Sequence, residues 1–135
     1  MYHRAGLAVL REGRLLMVRN VDSAFWTLPG GHVEEGETVR EALQRELREE
    51  LGVTLSDDRF EVLGRFTDRA AETGEVFELT LCSGDIVGEP RPAAEIEEHT
   101  WFDGQHISGE LPPMFIKHAR PALERRFGWT GQNEQ

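Results

Sequence analysis

Residues Val39 to Leu51 carry a helix signature that is complete at both ends. Thr38 stands where an N-cap is needed, and Glu41, three residues on, completes a capping box. Gly52 closes the segment with the residue that a left-handed C-terminal turn favours. Between the caps, Val39, Leu43, Leu47 and Leu51 recur every four residues as one apolar stripe. Such a stripe demands an apolar partner layer, so the rest of the chain must supply one. Glu46, Glu49 and Glu50 stand at i, i+3 and i+4 and project together from a neighbouring face.

The partner layer reads as strands. Leu7–Leu10 and Leu15–Arg19 are predicted to pair around a turn at Glu12-Gly13. Phe25–Leu28 is a short extended piece, stopped by Pro29-Gly30-Gly31. Phe60–Asp68 and Val76–Ser83 flank a turn at Thr73-Gly74, and Thr100–Phe102 forms a late strand. Pro113 to Arg126 reads as a second helix that Pro121 should kink or interrupt. Strands before and after one long helix, with a second helix at the end, define a mixed α/β domain. At 135 residues the chain suits one domain, assigned to residues 1–127, followed by a frayed polar tail at 128–135.

Charge narrows the partners. A net charge of −10 argues against duplex nucleic acid and anionic membrane surfaces, both of which call for a basic footprint. Ala5 to Leu10 is too short an apolar run for a signal peptide or a membrane span. A single cysteine, Cys82, excludes an intrachain disulfide and a multi-cysteine zinc site, and fits a reducing, cytoplasmic setting. It lies in an apolar strand, where a buried inert thiol is expected. The histidines show no metal-ligand spacing, and no serine sits in a hydrolase elbow.

The acids are concentrated. Between Gly31 and Val53, Glu34, Glu35, Glu37, Glu41, Glu46, Glu49 and Glu50 outnumber Arg40, Arg45 and Arg48. Like charges at helical neighbour spacing cost roughly 0.2–0.5 kcal/mol per pair. Arg45, four residues from both Glu41 and Glu49, offsets part of this, and a divalent cation offsets more. Carboxylate oxygens suit Mg²⁺, with Mn²⁺ as a substitute. A solvated, salt-bridged helix face accounts for the same spacing without a metal. Gly30-Gly31 ahead of the helix favours the metal reading, because backbone without a Cβ can approach a ligand closely.

Gly31, five residues, Glu37, seven residues, then Arg45-Glu46-Leu47-Arg48-Glu49-Glu50-Leu51-Gly52-Val53 resembles a complete Nudix box. The lead-in Trp26-Thr27-Leu28-Pro29-Gly30-Gly31 and the later Glu95-Ile96-Glu97-Glu98-His99-Thr100-Trp101-Phe102 are also similar to Nudix segments. The resemblance implies a Nudix fold, an α/β/α sandwich with a mixed central sheet. It implies Mg²⁺-dependent hydrolysis of a nucleoside diphosphate linked to another group X. By position, Glu46, Glu49, Glu50 and the Gly30 carbonyl would hold the metal. Arg45 and Glu37 would pair to orient loop and helix, while Leu47, Gly52 and Val53 would serve packing and turn.

A general base must take a proton from the attacking water. The candidates are Glu49, Glu50 and Glu95, with Glu97 and Glu98 competing with Glu95. Crowding should raise the pKa of at least one box glutamate in the metal-free chain. Gly31, His32 and Arg19 are candidate substrate contacts, and Arg4, Arg65 and Arg69 are further arginines able to reach phosphate. Phe25, Trp26, Phe66, Phe77, Trp101 and Phe102 serve either packing or base stacking. No proline or tyrosine falls between Val53 and Glu89, where nucleotide-sugar and dinucleotide enzymes of the family often carry one. That absence favours a MutT-like enzyme acting on (deoxy)nucleoside triphosphates or oxidised nucleotides. An ADP-ribose or nucleotide-sugar pyrophosphatase is the alternative, and a non-catalytic nucleotide-binding module comes third. A homodimer is consistent with the family.

Overall fold

The computed structural model describes residues 1–130. Its organising feature is a strand buried on both faces. In β3 (Arg14–Asn20), Leu15 and Met17 enter one core while Leu16 and Val18 enter another, as the two-residue strand period requires. A sheet with apolar residues on both faces needs a layer on each side. One side is covered by α1 (Val39–Leu51), whose Leu43, Leu47 and Leu51 have no exposed surface. Burying each such leucine contributes roughly 1.5–3 kcal/mol. The other side is covered by a C-terminal helical segment through Met114, Phe115, Ala119, Ala122 and Leu123. The result is the expected α/β/α sandwich.

One sheet is mixed and the others are antiparallel. Four strands run in the order β5 (Gly30–His32), β1 (Tyr2–Ala8), β8 (Val76–Ser83), β7 (Glu61–Arg69). β1 is antiparallel to β5 and parallel to β8, and β8 is antiparallel to β7. A second sheet orders β10 (Ile96–Phe102), β3 and β2 (Leu10–Arg11), with β4 (Trp26–Thr27) also paired to β3. Short β6 (Thr54–Leu55) and β9 (Ile86–Val87) pair antiparallel.

Several expectations change here. The span Leu7–Leu10 is divided between two strands. Only Leu10–Arg11 joins the hairpin with β3, whose turn places Glu12 and Gly13 at φ 53° and 78°. Such paired positive values give the tight turn that matches strand twist. β1 begins five residues earlier than Leu7 and finds its partners in β5 and β8. Gly30-Gly31, taken as a stop, continues as β5.

Ahead of Pro121 the regular α-winding is interrupted, as expected, but the helical segment continues through it. Phe115–Ala119 is wound as a π-helical turn, with the Arg120 N–H donating to the Phe115 carbonyl, and α2 (Arg120–Phe127) follows directly. Proline lacks an N–H and clashes with the carbonyl four residues back, so the wider turn ahead of it relieves both problems. The first residues of the expected tail are not frayed. Trp129 is buried, packs edge-on against Phe102, and donates its indole N–H to the Gly13 carbonyl at 2.8 Å. The remainder of the tail, residues 131–135, lies outside the described residues.

Candidate active site

The box helix is held as its sequence dictates. The Thr38 hydroxyl accepts from the Glu41 N–H at 3.0 Å, and the Glu41 carboxylate accepts from the Thr38 N–H at 2.9 Å. Gly52 adopts φ 67° and its N–H donates to the Arg48 carbonyl. Leu47 and Val53 are buried in the core beneath α1. Because the Glu41 carboxylate caps the helix, it is not the partner of Arg45 that spacing allowed.

Arg45 is instead the hub of the loop before the helix. Its Nε and Nη2 grip Glu37 at 2.7 and 3.0 Å, and Nη2 also donates to the His32 carbonyl at 2.9 Å. Its Nη1 reaches Glu46 at 3.0 Å and Glu49 at 3.7 Å. The Glu34 N–H adds a bond to Glu37 at 3.0 Å. Arg45 first, then this N–H, holds the Glu37 carboxyl down to about 2, while Glu37 first and then Glu46 push the Arg45 pKa up. Glu37 and Arg45 therefore stay ionised across the physiological range.

Glu46, Glu49 and Glu50 have three different environments. Glu49 is exposed, Glu46 is mostly covered and held by Arg45, and Glu50 is buried. Burial pushes the Glu50 carboxyl up to about 8, and neighbouring Glu46 adds to the rise. Arg4 and the Gly30 N–H act in the opposite direction. One crowded box glutamate is thus raised, as expected, and it is the most buried. Among the described residues its Oε1 has no hydrogen-bond partner. An orphaned buried oxygen costs free energy unless a proton or a cation meets it.

The glycines explain how these carboxylates reach a ligand. A Cβ on Gly31 would collide with the Glu46 carboxyl, and one on Gly30 with the Ala5 carbonyl. Gly30 also holds φ 145°, which only glycine adopts without strain. Bare backbone and acidic oxygens therefore face each other at the β5 edge. An orphaned carboxylate oxygen, a neighbouring carboxylate and close-set glycine backbone fit a hard divalent cation. Among the described residues no three metal-ligating side chains are already gathered around one point.

A cleft of about 720 Å³ opens from this corner. Glu46, Glu50, Gly30, Gly31 and His32 line it together with the apolar Phe77, Leu79, Met114 and Phe115. Phe25 and Glu95 lie along its wall. The Glu95 carbonyl accepts from the Val21 N–H at 2.8 Å, while its side chain stays exposed. Glu97 and Glu98 are separated from it, because both pair with Arg19 at 3.3 and 2.6 Å. Arg19 also donates to the Ser23 carbonyl at 2.8 Å and lies over the Trp26 ring. Its guanidinium is committed to these contacts and does not line the cleft.

Of the aromatic candidates, Phe25 and Phe77 line the cleft. Trp26 is buried with its indole N–H donating to the Ser108 carbonyl at 2.7 Å, and Phe102 packs in the core. Cys82 is fully buried and its thiol is pushed up to about 11 by burial, as befits an inert side chain.

Tyr2, Leu28, Met114 and Phe115 are cleft residues that motif reading missed. The signal for Tyr2 was the alternation Tyr2, Arg4, Gly6 along one strand face, visible only once β1 is started at Tyr2. Among the described residues no helix is long and apolar enough to cross a membrane.

Comparison with known proteins agrees with this arrangement. Over 120 residues the chain is 28% identical to a MutT-like protein of Streptomyces ambofaciens, covering 89% of this chain and 75% of the relative. It is 42% identical over 124 residues to an RNA pyrophosphohydrolase of Hydrogenovibrio crunogenus, covering 92% and 68% respectively. The crystal structure of a MutT NUDIX hydrolase from Burkholderia pseudomallei matches with a TM-score of 0.73 at 32% identity, covering 93% of this chain and 97% of that one. The NUDIX domain family matches residues 1–125. With its box helix, its glycine edge and its sandwich in place, the chain belongs to the Nudix family.

Proposed function

We propose that this protein is a Mg²⁺-dependent pyrophosphohydrolase acting on a nucleoside diphosphate linked to another group X, with (deoxy)nucleoside triphosphates, oxidised ones included, as the preferred class. The observation that carries this is the buried Glu50 carboxyl with an orphaned oxygen, set beside Glu46 at a glycine edge, in a cleft that apolar residues also line. The acidic residues suit a cation and phosphates, the apolar ones a nucleoside.

In this reading Glu46, Glu49, Glu50 and the Gly30 carbonyl hold the metal. Bound there, Mg²⁺ would neutralise phosphate oxygens and acidify a water. Arg45 and Glu37 are positioning residues: their bidentate pair, tied to the His32 carbonyl and the Glu34 N–H, fixes the loop against the helix. Exposed Glu95 on the cleft wall and Glu49 on the box helix are placed to accept a proton from an attacking water. Glu97 and Glu98 are less available because both neutralise Arg19. Gly31 and His32 present the backbone nearest the phosphates. The acidic chain binds an anionic substrate because the cation stands between them.

The test is a substrate panel of dNTPs, 8-oxo-dGTP, ADP-ribose, dinucleoside polyphosphates and nucleotide sugars, with Mg²⁺ and with excess EDTA. Release of phosphate or pyrophosphate from a nucleoside triphosphate, abolished by EDTA, is the expected result. Preferred turnover of ADP-ribose would reassign the substrate, and tight binding without turnover would indicate a binding module. Gly31→Ala should lower metal affinity about 10- to 100-fold by displacing Glu46, a loss typical of disturbed ligand support. Wild-type metal affinity in that variant would remove Glu46 from the site.

A further inference from the structure

The geometry points to Arg4 as the cation that binds the nucleoside-bearing phosphate of the substrate, between the acidic and apolar residues of the cleft. This inference rests on the nucleotide hydrolase assignment above and adds a residue to it.

Three observations meet at Arg4. Its place in the sheet is the first. On β1 it is in register with His32 on β5 and Leu79 on β8, and both flanking residues line the cleft. Two residues away on the same strand face, Tyr2 stacks on Phe77 with ring centroids 5.3 Å apart. Along β1, Arg4 therefore stands between Gly6, the partner of Gly30, and Tyr2, which stacks on Phe77.

Its lack of commitment is the second. Arg4 is half-buried and lines the cleft, yet among the described residues its side chain makes no hydrogen bond or ion pair. The alternatives are occupied or peripheral. Arg19 is held by Glu97 and Glu98 outside the cleft. Arg69 also lines the cleft, but it is exposed and its Nη1 donates to the Gly74 carbonyl at 2.9 Å. His32 is exposed and leans on Tyr2, with ring centroids 4.8 Å apart.

Charge is the third. Arg4 shares the cleft lining with Glu46 and Glu50. A cation over Glu46 and Glu50 would satisfy those carboxylates and leave the Arg4 guanidinium uncompensated in a partly dry cleft. An anion is then the partner it lacks. A planar guanidinium offers a two-pronged contact to phosphate. A nucleotide spanning the cleft, base on the Tyr2–Phe77 side and outer phosphates at the acidic corner, brings the phosphate attached to its sugar to Arg4.

Calorimetry in Mg²⁺ tests this with the four deoxynucleoside monophosphates and their nucleosides as probes, on wild type, Arg4→Gln and Arg4→Lys. Arg4→Gln should weaken the monophosphate that wild type binds by about 10- to 100-fold, the usual worth of a charged hydrogen-bond pair, and leave the matching nucleoside unchanged. Arg4→Lys should recover part of the loss. Thermal melting confirms that each variant is folded, and Arg14→Gln, on the exposed hairpin end of β3, should bind as wild type.

Equal losses for monophosphate and nucleoside, or no loss, would overturn the assignment. So would a change confined to Mg²⁺ affinity, which would make Arg4 only a shield for Glu50. Wild-type protein that hydrolyses a panel nucleotide but binds no monophosphate overturns the Arg4 role alone. Absence of both activities overturns the hydrolase assignment with it.

Discussion

Glu50 shows how a single side chain links folding to chemistry. Its helix places it beside the fully buried Leu47 and Leu51, so packing drags a carboxyl into a site that disfavours its charge. The folded carboxyl titrates near 8, against an ordinary 4.5. Between those values the folded metal-free chain holds more protons than the unfolded one, so stability falls as pH rises through that window. Glu37 is shifted the other way, to about 2, so its contribution is already complete above its ordinary pKa and adds no slope there. Melting in EDTA from pH 5 to pH 8.5 should therefore show a falling Tm, and Glu50→Gln should flatten the trend. A rising Tm in wild type would contradict the burial of a neutral acid. Saturating Mg²⁺ should reverse the slope, because the ion requires the ionised form.

Among the elements, α1 was the most legible in sequence, because every local preference agrees: caps at both ends, a stripe at four-residue spacing and good helix formers between. Thr38→Ala removes the capping box and should cost about 1 kcal/mol. A Tm drop of about 3 °C, measured by circular dichroism, checks it. The strands were less legible, for identifiable reasons. At the start of β1, Tyr2 and Arg4 face a cleft rather than a core, so polarity concealed the period. In β5, Gly30 and Gly31 carry no side chain from which a period can be read, and their pairing with Gly6 and Ala5 is a tertiary fact. β6 and β9 are two residues each, too short for any pattern. The site followed the same rule. The acidic corner was readable from one helix, whereas the apolar lining gathers β1, β8 and the C-terminal segment, which spacing along the chain cannot bring together.

On the scale of the whole molecule, one core joins both ends of the chain, from Ala8 to Trp129. Trp129 packs against Phe102 in the core beneath the C-terminal helical segment and ties down the β2–β3 turn through Gly13. Trp129→Ala should destabilise the protein by about 3 kcal/mol, in the range for emptying a buried tryptophan site. Urea unfolding followed by the remaining tryptophans would measure it, and a change below about 1 kcal/mol would mean the residue only rests on the surface. The acidic corner, built from β5 and α1, should keep its metal affinity in this variant. The parallel pairing of β1 with β8 joins Tyr2 to Phe77 and Ala8 to Ser83. During synthesis, then, the first strand emerges long before its central neighbour exists. Until β8 is made, β1 has at most the three-residue β5 on one edge and open hydrogen-bonding groups on the other. The nascent chain must carry that unpaired edge through much of its translation, a period in which β1 can recruit a foreign strand.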